Sequence, residues 1–507
     1  MSAGKKQHLR ALSFLFLVVI ASYGTDVSVK QILTRGDRFF DILVSMVPPD
    51  LHFASQVLHP LAATLRMSLA GSCLGTCLGL ILALWANAYT NPYTLPRLAL
   101  KLFIHLFRCV PTVLLALMCT FLFGLGTFAG TVAITLSTTA VLARLGYEDM
   151  ENTDLSTARV LEAAGCSRWK AFVRTGLRQI TAGYLTNALY LLEANVRHAS
   201  ILGYVGAGGI GLLLNEKLAW REYAQVGTLL LLLYGLVILT ESTSEWLQQI
   251  VIGKRKLQNR EKYWLLGALA ALFLWSVMAL KQSENGGNGL AAARAMVQGL
   301  LHPAWTTVIS LERDGLPWLL YETFCIAFLG TVAGAVLAGL LSFGASFRLL
   351  PACVAVFPRA ILLLIRTVPV VVYGLMWIRV TGPGPFAGVL TLALCSIGLL
   401  ARRFLIAIDS IDLRPYEAQR AAGVGFHRNL RWTILPQLLP RYVTAVLYRF
   451  DINVREAAVL GLVGAGGLGT PLILAMMHYE WSEAGALLWG MVVLAGASGL
   501  VSEKLRK

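Results

Sequence analysis

The sequence predicts an all-α polytopic membrane protein built from two copies of one domain. Of its 507 residues, 57% are hydrophobic and only 14% are charged, whereas soluble domains carry about 25% charged residues. In addition, the stretch from Leu447 to Gly469 repeats the stretch from Leu189 to Gly211, 258 positions earlier. The composition therefore indicates a lipid environment, and the repeat indicates a duplicated domain.

About twelve apolar segments are candidates for helices that cross a bilayer, which needs about 20 residues. Six lie in each half, and the first and seventh are the shortest. In the first half they are residues 11–24, 61–88, 98–122, 128–146, 177–203 and 225–248. In the second half they are residues 263–280, 317–343, 352–378, 385–408, 436–461 and 483–502. The sequence thus predicts two parallel six-helix repeats in tandem.

Basic residues mark the boundaries of these repeats. They precede the first segment, fill the junction between the halves and close the chain. Because cytoplasmic loops are rich in Lys and Arg, we expect both termini in the cytoplasm. We also expect an uncleaved signal-anchor helix at the start, since no cleavage site follows it. The predicted domains are residues 1–252 and 263–507, joined by a basic cytoplasmic junction at 253–262.

Charge and cysteine usage exclude several classes of function. The net charge is +16, but the basic residues lie at the ends of apolar segments, which favours contact with membrane lipid. No basic, aromatic platform for nucleic acid is present. The eight cysteines form no CxxC pair, and the eight histidines are scattered. We therefore expect no disulfide, no metal site, no nucleic-acid partner and no catalytic residues.

A polar stretch separates the fourth and fifth segments of each half. Asp154 is predicted to cap a short helix that ends at Gly165, and Asp412 to cap one that begins near Arg414 and ends at Gly423. A short amphipathic helix at a matched position in both halves is interpreted as a cytoplasmic docking site for a soluble partner. A solvated connector is the alternative interpretation.

The repeated stretch contains charged residues within apolar sequence. Each copy has an acid, an asparagine and an arginine: Glu193, Asn195 and Arg197 in the first, and Asp451, Asn453 and Arg455 in the second. Acid and arginine are four positions apart, so they can pair on one helix face. The pairs and the amides are predicted to fix helix packing or a gate. Alternatively, the arginines line the pathway of an anion.

A glycine run follows in each copy, VGAGGIG in the first and VGAGGLG in the second. Glycine is unfavourable inside a helix, and the runs lack the Lys of a phosphate-binding loop. Close helix packing is one interpretation. A break or hinge at the outer end of the fifth span is the preferred one, with Gly208, Gly209, Gly466 and Gly467 at its centre.

These motifs resemble the permease subunits of binding-protein-dependent ABC importers. Glu417-Ala418, then Gly423, then Leu435-Pro436 are similar to the family's "EAA" loop. The segments IRTVP, GPGPFAGVL, ILPQLLP and LYRFDINVR, followed by VGAGGLG, look like the phosphonate and phosphite permease branch. The resemblance covers essentially the whole chain, as two fused permease domains.

The resemblance implies a MetI-like type I importer fold and the import of phosphonate, phosphite or a phosphate ester by alternating access. It implies two copies of a cytoplasmic ATPase, which hold ATP and Mg, and an extracytoplasmic substrate-binding protein. This chain would bind no cofactor itself, would be no enzyme, and would replace a permease dimer in the inner membrane.

In the family, the loop inserts into the ATPase and transmits its closure. Carried over, the coupling residues are Glu417, Ala418 and Gly423 in the second half. In the first half, Gly165 matches Gly423, but Arg159 and Arg178 stand where Glu417 and Pro436 do. An acidic group lies one turn later, at Glu162, Ala163 and Ala164. The two ATPase contacts are therefore expected to be unequal.

Two other functions stay open at the level of sequence. An ion-coupled secondary transporter of a small anion also uses repeats and charges within the membrane. An ABC permease for a different small solute, such as an amino acid, would share the same loops. Transport without ion gradients separates the first from an ABC importer.

Overall fold

The computed structural model describes residues 3–254, 258–278, 289–348 and 350–506, and within these ranges the regular structure is helical, without a β-strand. The α-helices are α1 (Ala3–Gly24), α2 (Val29–Arg35), α3 (Asp37–Val44), α4 (Ala54–Ala86), α5 (Thr94–Cys109), α6 (Thr112–Phe123), α7 (Thr127–Asn152), α8 (Ser156–Ala163), α9 (Arg168–Arg174), α10 (Gly176–Leu202), α11 (Ile210–Ala219), α12 (Tyr223–Val251), α13 (Asn259–Met278), α14 (Gly289–Leu301), α15 (Trp305–Ile309), α16 (Leu316–Gly344), α17 (Ala352–Thr367), α18 (Val370–Thr381), α19 (Pro385–Asp409), α20 (Arg414–Ala421), α21 (Phe426–Asn429), α22 (Leu435–Leu460), α23 (Gly469–Met477) and α24 (Trp481–Arg506). The predicted all-α class is confirmed.

Seven helices in the described ranges are long and apolar enough to cross a membrane, and the number rises to ten if three bent pairs each form one span. The seven are α4, α7, α12, α13, α16, α19 and α24. The fifth predicted segments, α10 and α22, are equally long but carry the acid and arginine pairs. The predicted seventh segment ends at 280, and residues 279–280 lie outside the described residues, as do 255–257 of the predicted junction.

The predicted spans at 98–122 and 352–378 are not straight helices, because each contains a sharp bend. The first consists of α5 and α6, which meet at 94°, and the second of α17 and α18, which meet at 92°. Pro111 and Pro369 stand at the bends. The residues before them, Val110 and Val368, are extended, because a following proline disfavours helical backbone, and proline itself has no N–H to donate.

The described chain forms two compact units. Residues 43–295 form the first-repeat unit, and residues 1–42 with 296–507 form the second-repeat unit. In these units, the N-terminal helices of the two halves of the sequence are exchanged. In the second-repeat unit, the Tyr321 hydroxyl on α16 donates to the Ile20 carbonyl on α1 (2.9 Å). In the first-repeat unit, Arg66 on α4 lies 4.3 Å from the ring centre of Trp275 on α13.

Glycines allow one helix pair in each unit to pack closely. On α4, a Cβ at Gly71 would lie 2.7 Å from Ile134 of α7, and one at Gly75 would lie 2.6 Å from Thr138. On α16, a Cβ at Gly334 would lie 2.5 Å from Ser396 of α19. Small residues four apart bring helix backbones together in membranes. This contact places Thr138 and Ser396 beside the polar residues of the fifth segments.

Candidate functional site

One asparagine in each unit connects three helices. On α10, Asn195 Nδ2 donates to Ser72 Oγ of α4 (2.8 Å) and to Thr138 Oγ1 of α7 (2.9 Å). On α22, Asn453 Nδ2 donates to Thr331 Oγ1 of α16 (2.7 Å) and to Ser396 Oγ of α19 (2.9 Å). We call each set of three residues an asparagine network. The predicted interhelical hydrogen bonds are thus present in both units.

The predicted acid–arginine pairs are also present. Arg197 Nη1 lies 2.7 Å from Glu193 Oε1, and Arg455 Nη2 lies 2.9 Å from Asp451 Oδ2. Ser498 Oγ of α24 donates to the other oxygen of Asp451 (3.1 Å). Each acid is more buried than its arginine. The carboxylates are therefore neutralised inside the unit, as charged groups within a membrane require.

A second ion pair, which the sequence reasoning missed, lies on α22. Arg449 Nη2 and Nη1 lie 2.6 Å and 3.4 Å from the two oxygens of Glu456, and Arg449 Nε donates to Ser396 Oγ (3.1 Å). Arg449 is only 3% exposed. The first repeat has Leu191 and His198 at the matching positions. The signal was available, since aligning the two copies shows both residues changing together.

The glycine runs, residues 206–209 and 464–467, break the fifth helix of each unit. α10 ends at Leu202 and α11 begins at Ile210, while α22 ends at Leu460 and α23 begins at Gly469. Three glycines in each run have φ between +72° and +81°, namely Gly206, Gly208, Gly209, Gly464, Gly466 and Gly467. Residues that have a side chain rarely adopt this backbone conformation. The predicted break is present, and glycine is what permits it.

Close packing, the alternative interpretation, applies to the glycines that flank the runs. A Cβ on Gly211 would lie 2.1 Å from the Ser200 carbonyl oxygen. A Cβ on Gly469 would lie 1.9 Å from the Ala458 carbonyl oxygen. The chain therefore folds back against the end of its own helix, and both interpretations describe part of the motif.

Each glycine run is anchored to neighbouring elements in the same way. Thr64 Oγ1 accepts from Ile210 N, and Thr323 Oγ1 accepts from Leu468 N, both at 2.8 Å. In addition, the loop before α7 or α19 donates to the run, from Gly126 N to Gly206 O and from Gly384 N to Gly464 O, both at 3.0 Å. The runs are therefore held in one geometry.

The second run has one further anchor. Glu322 Oε1 accepts from Gly467 N at 2.8 Å. Because Thr64 corresponds to Thr323, the first repeat has Ala63 where the second has Glu322. Among the described hydrogen bonds of the runs, this carboxylate contact occurs in the second repeat alone.

The interhelical loops between the fourth and fifth segments share one backbone design. Asp154 Oδ1 accepts from Ser156 N (2.9 Å), and Asp412 Oδ1 accepts from Arg414 N (3.0 Å). Each acid thus binds the first N–H of its helix from one position before the N-cap residue, which is Leu155 or Leu413. The backbone hydrogen bond from Ser156 lowers the pKa of Asp154. Gly165 and Gly423 end α8 and α20 in the left-handed region, at φ +89° and +77°. No atom lies within 4 Å of a Cβ placed on either glycine, so both face open space.

The side chains of the two loops differ. Glu162 accepts a hydrogen bond from the Tyr89 hydroxyl and lies 3.9 Å from Arg168 Nε. Burial, followed by the hydrogen bond to Glu162, raises the pKa of Tyr89 to about 12, so the phenol stays protonated as the donor. In contrast, Glu417 is exposed, and at its position the first loop has an exposed Arg159.

The other residues predicted to contact the ATPase are more exposed to solvent than Glu162. Ala163, Ala164 and Ala418 are exposed, whereas Glu162 is half-buried. The second loop therefore presents its acid outward, and the first loop holds its acid against the unit.

Comparison with known proteins places the chain among transport components. The family described as "Binding-protein-dependent transport system inner membrane component" matches twice, at residues 75–255 and 330–506. The phosphate-import permease protein PhnE of Mycolicibacterium smegmatis is 26% identical over 500 residues, covering 96% of this chain and 92% of that protein. The phosphite transport system permease protein PtxC of Stutzerimonas stutzeri is 30% identical over 230 residues, covering 43% of this chain and 82% of that protein.

Among solved structures, the inward-facing MetNI methionine ABC transporter aligns with 43% of this chain and 96% of its own at 24% identity, with a TM-score of 0.32. The two family matches fall one in each sequence repeat. The predicted tandem duplication is therefore confirmed.

Proposed function

The chain belongs to the family of binding-protein-dependent transport system inner membrane components, and from this premise we propose that it is the permease of an ATP-driven importer of phosphorus oxyanions. It is a multi-pass membrane protein of the transport-subunit type, with two permease domains in one chain. The observation that carries the substrate class is the similarity over almost its whole length to a protein named for phosphate import.

The proposed cargo is a tetrahedral phosphorus oxyanion: phosphonate, phosphite, phosphate or a phosphate ester. The relative named for phosphite transport supports the same chemistry. These anions share charged oxygens that accept several hydrogen bonds at once. An extracytoplasmic binding protein would select among them, and the permease would provide the passage.

Two copies of a cytoplasmic ATPase are the proposed partners, holding ATP and Mg, while this chain binds no cofactor. The loops between α8 and α9 and between α20 and α21 would dock on them, which puts both termini in the cytoplasm. The exposed Gly165 and Gly423 would face the partner. The different presentation of Glu162 and Glu417 supports unequal docking of the two loops.

The second loop connects to the glycine run without interruption. α21, a π turn at Leu430–Ile434 and α22 form one helical segment from 426 to 460. Movement of the docked loop would therefore be transmitted to Asn453 and to the run after Leu460. In the first half, Thr175 separates α9 from α10. We place the gate at the two glycine runs and at the ion pairs that Arg197 forms with Glu193 and Arg455 forms with Asp451.

Reconstitution tests this function. The full chain, its ATPase and its binding protein would be placed in vesicles without ion gradients, and uptake of labelled phosphate, phosphite and methylphosphonate would be measured. ATP-dependent uptake of at least one of them is expected. Uptake driven by a gradient alone would identify a secondary transporter, and ATP-dependent uptake of an amino acid instead would identify a permease for another solute.

A further inference from the structure

We propose that Arg449 forms an oxyanion-binding site in the second repeat and that Glu456 occupies this site when no substrate is bound. The site would take a phosphorus oxyanion such as phosphate or methylphosphonate. This inference rests on the proposed function and adds to it the residue that contacts the cargo. It also predicts that one half of the chain binds the anion and the other does not.

The guanidinium of Arg449 is held in a fixed orientation. Its Nε donates to Ser396 Oγ (3.1 Å), and the same oxygen accepts from Asn453 Nδ2 (2.9 Å). The asparagine network thus supports the base of the arginine. Both terminal nitrogens are directed to one partner, the carboxylate of Glu456.

This arrangement matches the binding of an oxyanion. A guanidinium presents two parallel N–H groups, which suit carboxylate and phosphate oxygens equally well. Glu456 now fills both positions. Its side chain is 25% exposed, whereas that of Arg449 is 4% exposed. The carboxylate therefore covers the arginine from the open side, and an arriving anion would meet Glu456 first.

A purely structural role explains the pair less well. Buried ion pairs often contribute no more stability than apolar residues of similar volume. The first repeat, which keeps the asparagine network and the acid–arginine pair, has Leu191 and His198 in place of Arg449 and Glu456. The shared fold therefore does not require the second pair.

An unpaired acceptor lies next to the site. Asn453 Oδ1 is buried and has no hydrogen-bond partner among the described residues. Its amide nitrogen and Arg449 Nε donate to the same oxygen, Ser396 Oγ, so the amide belongs to the network that supports the arginine. A protonated oxygen of a phosphonate or phosphate monoanion could donate to it, which Glu456 as a carboxylate cannot do.

The decisive variant is Glu456→Gln in the purified full chain, with binding of methylphosphonate and of inorganic phosphate measured by calorimetry. Glutamine keeps the shape but removes the competing charge. We expect the Kd to fall about tenfold, the size of one charge-assisted hydrogen bond. A structural ion pair predicts no gain in affinity, so an unchanged or higher Kd would overturn the site.

A double variant gives a second, independent test. Arg449→Leu with Glu456→His introduces the residues that the first repeat already has, so insertion and thermal stability should be close to those of the native chain. Saturable anion binding should be lost. Retained binding would refute the site. This test does not depend on the Glu456→Gln protein and still applies if that protein fails to accumulate in the membrane. As a control for the loss of an arginine elsewhere, Arg38→Leu removes an exposed arginine of α3 and should leave the Kd unchanged.

The two proposals fail separately. Binding to the isolated chain needs neither ATP nor partners, whereas the importer function is tested by ATP-driven uptake. If ATP-driven uptake is present and the double variant still binds anions like the native chain, the binding site at Arg449 is rejected and the importer function is kept. If no phosphorus oxyanion is taken up, the importer itself is excluded.

Discussion

Single residues can be compared between two copies of one domain within the same chain. Asn195 and Asn453 have equivalent partners on equivalent helices. Their surroundings differ, because Arg449 and Glu456 accompany only the second. Residues that both repeats share therefore indicate what the fold requires. Residues found in one repeat alone indicate what that half adds to the fold.

Replacement of either asparagine should weaken its unit to a similar degree. Asn195→Ala and Asn453→Ala each remove two interhelical hydrogen bonds and leave two buried hydroxyls without that donor. Such bonds contribute roughly 0.6 kcal/mol each in membranes, so we expect the melting temperature in detergent to fall by a few degrees. Gln249→Ala, at an exposed position on α12, is the control. Unchanged melting of both asparagine variants would contradict a role in packing.

Glu322 should make the second glycine run more rigid than the first. Glu322→Ala introduces the residue found at the matching position, Ala63, and removes the acceptor of Gly467 N. We expect hydrogen exchange in residues 464–468 to become about tenfold faster, since a hydrogen bond to a charged group contributes roughly 1.5 kcal/mol.

The first run, residues 206–210, is the internal control in the same sample and should not change. If the second run exchanges at the native rate in Glu322→Ala, the Thr323 and Gly384 contacts alone hold it, and the carboxylate has another role.

The spacing on one helix predicted the pairs four residues apart but not the pair seven residues apart. Helix geometry brings positions i and i+4 into contact. The ion pairs of Arg197 with Glu193 and of Arg455 with Asp451 therefore followed from spacing alone. Arg449 and Glu456 are separated by about 10 Å along the helix axis. They meet only because both side chains are long and Ser396, from another helix, orients the guanidinium.

At the scale of elements, the local signals for helix ends were sufficient. Asp154 and Asp412 accept from the first N–H groups of α8 and α20, and Gly165 and Gly423 end these helices, because helix ends depend on residues within one turn. The bends at Pro111 and Pro369 were not predicted, since the apolar sequence continues through both. Proline was the available signal for a break.

The second loop should depend on Gly423 through its partner rather than through its own fold. Gly423→Asn should leave thermal stability nearly unchanged, because Asn tolerates the left-handed region and no atom of the chain lies within 4 Å. If the ATPase fills this space, ATP-driven uptake should fall at least tenfold. Membrane insertion, thermal melting and uptake would be measured on the same preparations.

Gly165→Asn is the matched comparison, since it has the same backbone and the same open surroundings. A smaller loss of uptake there would support unequal coupling of the two loops. Native uptake in Gly423→Asn would mean that this glycine serves only the turn, and the docking role would be rejected.

At the scale of the whole molecule, duplication was predictable and the exchange of helices was not. A repeat is visible because the copies share residues at a constant offset, 14 of 24 from 188 to 211 and from 446 to 469. Hydropathy indicates that a helix is in the membrane but carries no information about its neighbours. The placement of α1 against α16 depends on contacts such as Tyr321 with Ile20, which involve residues 301 positions apart.

The exchanged helices predict how a cut chain will behave. When residues 1–254 and 258–507 are produced together as separate chains, the two should copurify in detergent through a tag on the second. The reason lies within the second-repeat unit, where α1 packs on α16 and Phe39 stacks on Trp377 with ring centres 4.3 Å apart. Each chain therefore contributes helices that complete the other chain's compact unit.

Removing both exchanged segments tests whether these helices are what holds the two chains together. Residues 43–254 together with 289–507 lack α1 to α3 up to Ile42 and also lack α13. We expect the recovered amount of the untagged chain to fall at least fivefold. Trimming removes the buried apolar side chains of Ala21, Phe39 and Ile42 and the contact between Trp275 of α13 and Arg66. A trimmed pair that copurifies like the untrimmed one would show that the exchanged helices do not hold the two chains together.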